Sequence, residues 1–207
     1  MTSWWRSTGS MRGCGSDSPA ASSITRKACS KRRGRRSRRM GGTPETSPEI
    51  GPEIGYEIRR LRPTTPAFDR LKDESRLEGY WMLVRLADGW SSGHNSGGRN
   101  KFLKRGEALY GAWHGRDLAG VCGLNIDPYF EGRDQGRVRH LFVSAPHRRA
   151  GLGRMLVETV IDRACQYFAV LNTRAPPEAY GFYERLGFQR VAGEEFVTHR
   201  LVFGKES

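Results

Sequence analysis

The stretch that most restricts what this chain can fold into is HRRAGLG, residues 147–153, running directly into RMLVETVIDRA. Glycines permit positive φ and let backbone amides converge on a ligand. The first turn of a following helix leaves N–H groups without intrahelical partners and carries a partial positive charge. Leu152, Leu156 and Val160 fall on one ridge with Val157, Ile161 and Ala164 beside it, so a helix is predicted from Leu152 to near Phe168. RVRHLFVS, 137–144, reads as a strand ahead of the loop. A strand, a glycine turn and a helix in this order hold a phosphate compound.

Two common phosphate loops are excluded by single residues. A nucleoside-triphosphate loop needs Lys and then Ser or Thr after its last glycine, and here Gly153 is followed by Arg154 and Met155. A dinucleotide fingerprint needs a third glycine so that helix and strand pack closely, and that position is Leu156. What remains is a loop flanked by Arg148, Arg149 and Arg154, suited to a pyrophosphate held without magnesium.

The surrounding pattern is β, α, α, β, β, β, α, β, α, β, β. YEIRRLRP from Tyr56 is the first strand, and residues 66–90 place Phe68, Leu71, Tyr80, Leu83, Leu86 and Trp90 at mostly helical spacing. Residues 91–100 read as a loop. ALYGAWHGRDLAGVCGLNI is a hairpin about His114-Gly115-Arg116-Asp117. A strand AVLNT, a helix across PPEAYGFYERLG and two strands, FQRV and EFVTHRLVF, complete the order. Residues 1–53 are rich in Ser, Gly, Arg and Pro and read as a disordered extension, leaving one domain over 54–207. Residues 1–40 hold 11 of the 35 basic residues and one of the 22 acids, so the basic balance belongs to the extension. Its KRRGRRSRR run reads as a solvated tail, and nucleic-acid binding is expected through this tail or not at all. Cys14, Cys29, Cys122 and Cys165 form no CxxC pair, so neither a disulfide framework nor a zinc site is expected, and Cys165 reads as core. With no long apolar span and no leader pattern, a soluble cytoplasmic protein without a membrane partner is expected.

Together these motifs resemble the GNAT superfamily of N-acetyltransferases. Leu141-Phe142-Val143 stands at the family's apolar triplet, Arg148, Gly151 and Gly153 at its loop signature, and GFYERLGFQRV, 181–191, at its downstream helix and strand. Pro146 lies one place later than in the family's pattern. The resemblance covers about 54–207. It implies an α/β (α+β) fold: a central, mixed, mostly antiparallel and twisted sheet of six to seven strands, about four flanking helices, and a V-shaped splay between strands 4 and 5.

The resemblance further implies a transferase, an acyltransferase moving the acetyl group of acetyl-CoA directly to a primary amine, either a small molecule or a protein N-terminus or lysine, with no metal. Leu141, Phe142 and Val143 would meet the pantetheine arm, and Arg148, Arg149, Ala150, Gly151, Leu152, Gly153 and Arg154 the pyrophosphate. Tyr183 matches the family's general acid, and a phenol donates while neutral. His140 is a candidate general base by its ordinary titration range, and Asp127 could reach the same region through water. Asn172 and Thr173 stand where a side chain could bond the cofactor or acceptor, or cap a turn. A homodimer is compatible with the family. The alternative is a non-catalytic acyl-CoA sensor or nucleic-acid-binding regulator on the same fold.

Overall fold

The computed structural model of the chain describes residues 27–28, 55–91 and 101–204. The expected loop over 91–100 lies outside them apart from Ser91. So does the expected extension over 1–53, apart from a two-residue strand β1 (Lys27–Ala28). The remaining elements are β2 (Glu57–Arg60), α1 (Pro66–Leu77), α2 (Met82–Ser91), β3 (Ala108–His114), β4 (Asp117–Ile126) and β5 (Gln135–Val143). They continue with α3 (Leu152–Ala164), β6 (Val170–Thr173), α4 (Tyr180–Arg185), β7 (Gln189–Arg190) and β8 (His199–Gly204). The sheet runs β1-β8-β6-β5-β4-β3-β2, with β7 also paired to β8. Among the described strands, only β5 with β6 and β1 with β8 are parallel. Without β1 this is the expected mixed, mostly antiparallel sheet of seven strands with four helices.

Local chemistry accounts for the elements. The Thr65 hydroxyl accepts from the Phe68 N–H at 3.3 Å and Pro66 opens α1, where a missing N–H costs nothing. Phe68 and Leu71 of α1 and Leu83 and Leu86 of α2 are buried with Leu109, Leu118 and Val121 against one sheet face. The α3 residues Leu152, Leu156, Val157, Val160, Ile161 and Ala164 are buried against the other, the ridge the periodicity predicts. β4 is therefore covered on both faces, which explains its nearly continuous burial.

Several boundaries differ from expectation. His114 pairs with Asp117, so the hairpin loop is the two residues Gly115 and Arg116. The regular part of α3 stops at Ala164, and turns bonded back to Ala164 carry the chain to Phe168. The FQRV strand shrinks to Gln189–Arg190. Cys165 is half-buried and disulfide-bonded rather than a free core thiol, against the expectation from cysteine spacing, whereas Cys122 is free and buried. No described helix is long and apolar enough to cross a membrane.

Candidate active site

The site is a wedge between β5 and β6. Their pairing begins at Gln135 and Val170 and stops at Arg137 and Asn172, yet β5 continues to Val143 on β4 alone. Beyond Arg137 the free edge of β5 turns its outward N–H and C=O groups to the gap, where they require a partner.

A buried polar network pins the apex. Arg137 donates from Nε to Asp127 Oδ1 at 3.1 Å, and Asn172 donates to Asp127 Oδ2 and to Gln135 Oε1, both at 3.0 Å. Arg200 Nε donates to Asn172 Oδ1 at 2.8 Å. Asp127 is thus fully engaged and does not line the cavity, which removes it as a proton acceptor. Asn172 holds the apex rather than a ligand.

On the free part of β5 two residues, His140 and Leu141, oppose the single Cys122 of β4 between the pairs Gly123–Arg139 and Val121–Phe142. This bulge places His140 at φ 54° and increases the local twist. Gly123 makes room beside it: a Cβ there would lie 2.6 Å from the Phe102 ring, which meets the His140 imidazole edge-on at 6.0 Å. His140 Nε2 is buried without a hydrogen-bond partner among the described residues. Burial, reinforced by the neighbouring Arg139 charge, lowers the His140 pKa to about 3. The imidazole is therefore neutral and a poor base at physiological pH, contrary to the role its ordinary titration range suggests.

A cavity of about 450 Å³ fills the wedge. Leu141, Phe142, Val143, Arg148, Thr173 and Tyr183 line it, so the apolar triplet and the candidate acid meet at one place. Tyr183 is 5 % exposed and packs edge-on against Phe182 and Phe188. Burial pushes its phenol well above the ordinary tyrosine range; the nearby Cys122 thiol acts in the same direction and a hydrogen bond with Thr173 opposes both. It stays protonated, as a donor to a leaving group must.

At the mouth, the strand end passes through a 3-10 turn, Ala145–His147, to Gly151 at φ 76° and then α3. The first α3 bond runs from the Met155 N–H to the Gly151 carbonyl at 3.1 Å, and no side chain caps the helix. The N–H groups of Leu152, Gly153 and Arg154 precede that bond and present an anion-binding end. Arg149 also has positive φ, 65°. The loop side chains do not all face this end. Arg148 Nε donates to the Val143 carbonyl at 2.9 Å and its Nη2 pairs with Glu78 at 2.5 Å, with its guanidinium 5.5 Å above the Phe142 ring. Arg154 pairs with Glu158 at 2.9 Å, and Leu152 is buried core. Arg149 and Ala150 are exposed. Glu74 accepts from the Ala145 N–H at 2.7 Å, so α1 clamps the loop through Glu74 and Glu78. That clamp is invisible to local patterning because its partners lie about 70 residues apart.

The family model for the acetyltransferase (GNAT) domain matches residues 92–205. The chain belongs to the GNAT acetyltransferase family. Its wedge, bulge and glycine loop occupy the part of the chain that this match spans. A candidate acetyltransferase from Exiguobacterium has a solved structure similar to this one, with TM-score 0.60 and 25 % identity over 72 % of this chain and 94 % of that one. An Escherichia coli GNAT family N-acetyltransferase solved in complex with CoA has the same fold at TM-score 0.56 and 20 % identity, covering 75 % of this chain and 86 % of its own. A curated relative, rat N-acetyltransferase family 8 member 3, is 38 % identical over 76 residues, 35 % of this chain. The aligned part spans about a third of that relative's length, 32 %.

Proposed function

We propose that residues 54–207 form an N-acetyltransferase that moves the acetyl group of acetyl-CoA directly to a primary amine. The observation that carries this reading is the alignment of three features along one cavity: the unpaired edge of β5, the uncapped end of α3 and the Tyr183 phenol. The β5 edge suits the amide-bearing pantetheine arm, which would complete its ladder in place of β6. The pyrophosphate would take the N–H groups at the start of α3, with the partial charge of the helix end. Arg148 acts here as a brace that fixes Val143 to the loop and to Glu78.

The chemistry requires a neutral amine lone pair to attack the thioester carbonyl. The tetrahedral oxyanion takes a hydrogen bond from a β5 backbone N–H, and the C–S bond breaks as the carbonyl re-forms. Tyr183 donates its proton, or a hydrogen bond, to the departing thiolate; the nitrogen of the tetrahedral adduct loses its extra proton to solvent as the amide forms, and solvent returns a proton to the phenol. No side chain described in the cavity combines the position and pKa of a general base, so the amine loses its first proton to water. Positioning of the two reactants supplies much of the acceleration, up to about 7–11 kcal/mol in favourable cases.

The test follows CoA release over an amine panel, with acetyl-CoA binding measured separately by calorimetry. Tyr183→Phe keeps the packed ring, so binding survives while kcat falls by roughly 10²–10⁴. Gly151→Glu brings a carboxylate and a strained φ to the loop and abolishes acetyl-CoA binding. A fully active Gly151→Glu would sink the loop assignment, and binding with no turnover on any amine would favour the acyl-CoA sensor instead.

A further inference from the structure

The charge of the cavity wall says which amines it is built to take. Its lining includes Arg139, Arg148 and Arg174 and, among the described residues, no Asp or Glu. The apolar part of the wall is formed by Tyr80, Met82, Leu141, Phe142, Ala175 and Phe182. Tyr80 is 54 % exposed and reaches in from the α1–α2 turn, meeting the Phe142 ring at 6.2 Å. A site for polycationic amines places carboxylates where the ammonium groups bind, because a buried ammonium without a counter-charge is costly. Here such a ligand would meet Arg174 and no carboxylate among the described lining residues.

Arg174 is the residue that gives this wall a function. Arg148 is already neutralised by Glu78. Arg174 follows the end of β6, is exposed, and makes no ion pair among the described residues. The backbone on either side of it is fixed: the Ala175 N–H donates to Thr198 Oγ1 at 2.8 Å, and the Thr198 N–H donates to the Thr173 carbonyl at 3.0 Å. An arginine on a rigid strand end, lining the cavity together with Thr173 and Tyr183, offers a two-pronged seat for a carboxylate.

Resting on the acetyltransferase reading, we infer that the acceptor is an amine that also carries a carboxylate and an aromatic or aliphatic side chain, that is, an apolar amino acid or a conjugate of one. Arg174 holds the carboxylate, and the Tyr80 and Met82 side chains receive the apolar group. The Arg174 charge disfavours the ammonium form of the bound acceptor and so favours the neutral nucleophile. That effect supplies what the neutral His140 and the engaged Asp127 cannot.

The test uses the full chain with four acceptors: phenylalanine, phenylalaninamide, spermidine and a lysine-rich peptide, each with acetyl-CoA and with CoA release as the readout. Phenylalanine is expected to exceed phenylalaninamide in kcat/KM by at least about tenfold, the lower end of what one lost charge-assisted pair produces. Spermidine and the peptide are expected to fall below both. Arg174→Gln is expected to lower the phenylalanine-to-phenylalaninamide ratio about tenfold, through KM rather than kcat, with the acetyl-CoA Kd unchanged. A preference for spermidine or the peptide overturns the inference. So does an Arg174→Gln variant whose acetyl-CoA Kd rises while the ratio stays fixed, since Arg174 would then serve the donor. Acetyl-CoA binding with no transfer to any of the four acceptors overturns the acceptor class and leaves the donor site standing. Loss of acetyl-CoA binding by the parent chain overturns the transferase reading itself.

Discussion

His140 shows how a single residue changes character between a sequence and a fold. Its placement on the strand beside Leu141 suggests a base, but the bulge turns it to φ 54° against Phe102 and leaves Nε2 buried and unpartnered. With the folded pKa lowered to about 3 from 6.5, the unfolded chain binds the proton more readily across that interval. The stabilising contribution of the neutral ring is therefore complete above pH 6.5 and is lost as pH falls towards 3. Replacing it by Asn, which tolerates positive φ and does not titrate, should remove this dependence. Between pH 6.5 and pH 5 the parent should lose up to about 2 kcal/mol more than His140→Asn in urea unfolding, from about 1.4 kcal/mol per unit. Equal losses in the two proteins would mean that the imidazole is not held neutral by burial. Residues whose role is set by nearby sequence, such as Gly151 at its left-handed turn, were readable in advance. Asp127 was not, because its meaning depends on Arg137 and Asn172, the latter 45 residues away. Arg174 carried no local signal either, and only the closing of the wedge brings it to the wall.

At the scale of elements, the ridge of α3 and the strand before it were legible because a helix period and an apolar strand are properties of short windows. The splay was expected only through family likeness. Physically it follows from β5–β6 pairing that ends after three residue pairs, and no window of sequence contains both strands. The tight seat of α3 on the sheet depends on Gly120 of β4. A Cβ there would stand 2.9 Å from the Phe142 carbonyl oxygen and 3.2 Å from Leu156 Cδ1, so the backbone of β5 and the helix would both have to shift. Gly120→Val should destabilise the chain by about 1–3 kcal/mol, as overpacking typically does. Because Phe142 and Val143 line the cavity, it should also weaken acetyl-CoA binding under conditions where the variant remains folded. Calorimetric binding at low temperature together with a thermal melt checks both effects, and an unchanged Tm would show that the β4–β5 spacing is softer than the packing implies.

For the whole molecule, the organising fact is the uneven charge: +10 of the formal +13 lies in residues 1–40, away from the cavity-forming sequence. If residues 54–207 are the catalytic unit, a chain starting at residue 54 should bind acetyl-CoA and transfer acetyl groups within about twofold of the full chain's rate. The cost should be confined to stability: the loss of β1, which pairs Lys27 with Phe203 and Ala28 with Gly204 at one edge of the sheet, and of the disulfide at Cys165, whose partner cannot be the free Cys122 and so lies in the removed segment. Any retention on duplex DNA should disappear with the same truncation, since KRRGRRSRR concentrates seven basic residues in nine positions. In the full chain such retention should fall with salt at a log–log slope no steeper than about −6, the value for seven phosphate contacts. A truncated chain that folds by circular dichroism yet loses transfer would place part of the active unit in the extension. The division at residue 54 would then have to move towards the N-terminus, because a basic segment needed for turnover contributes to the site and not only to solubility.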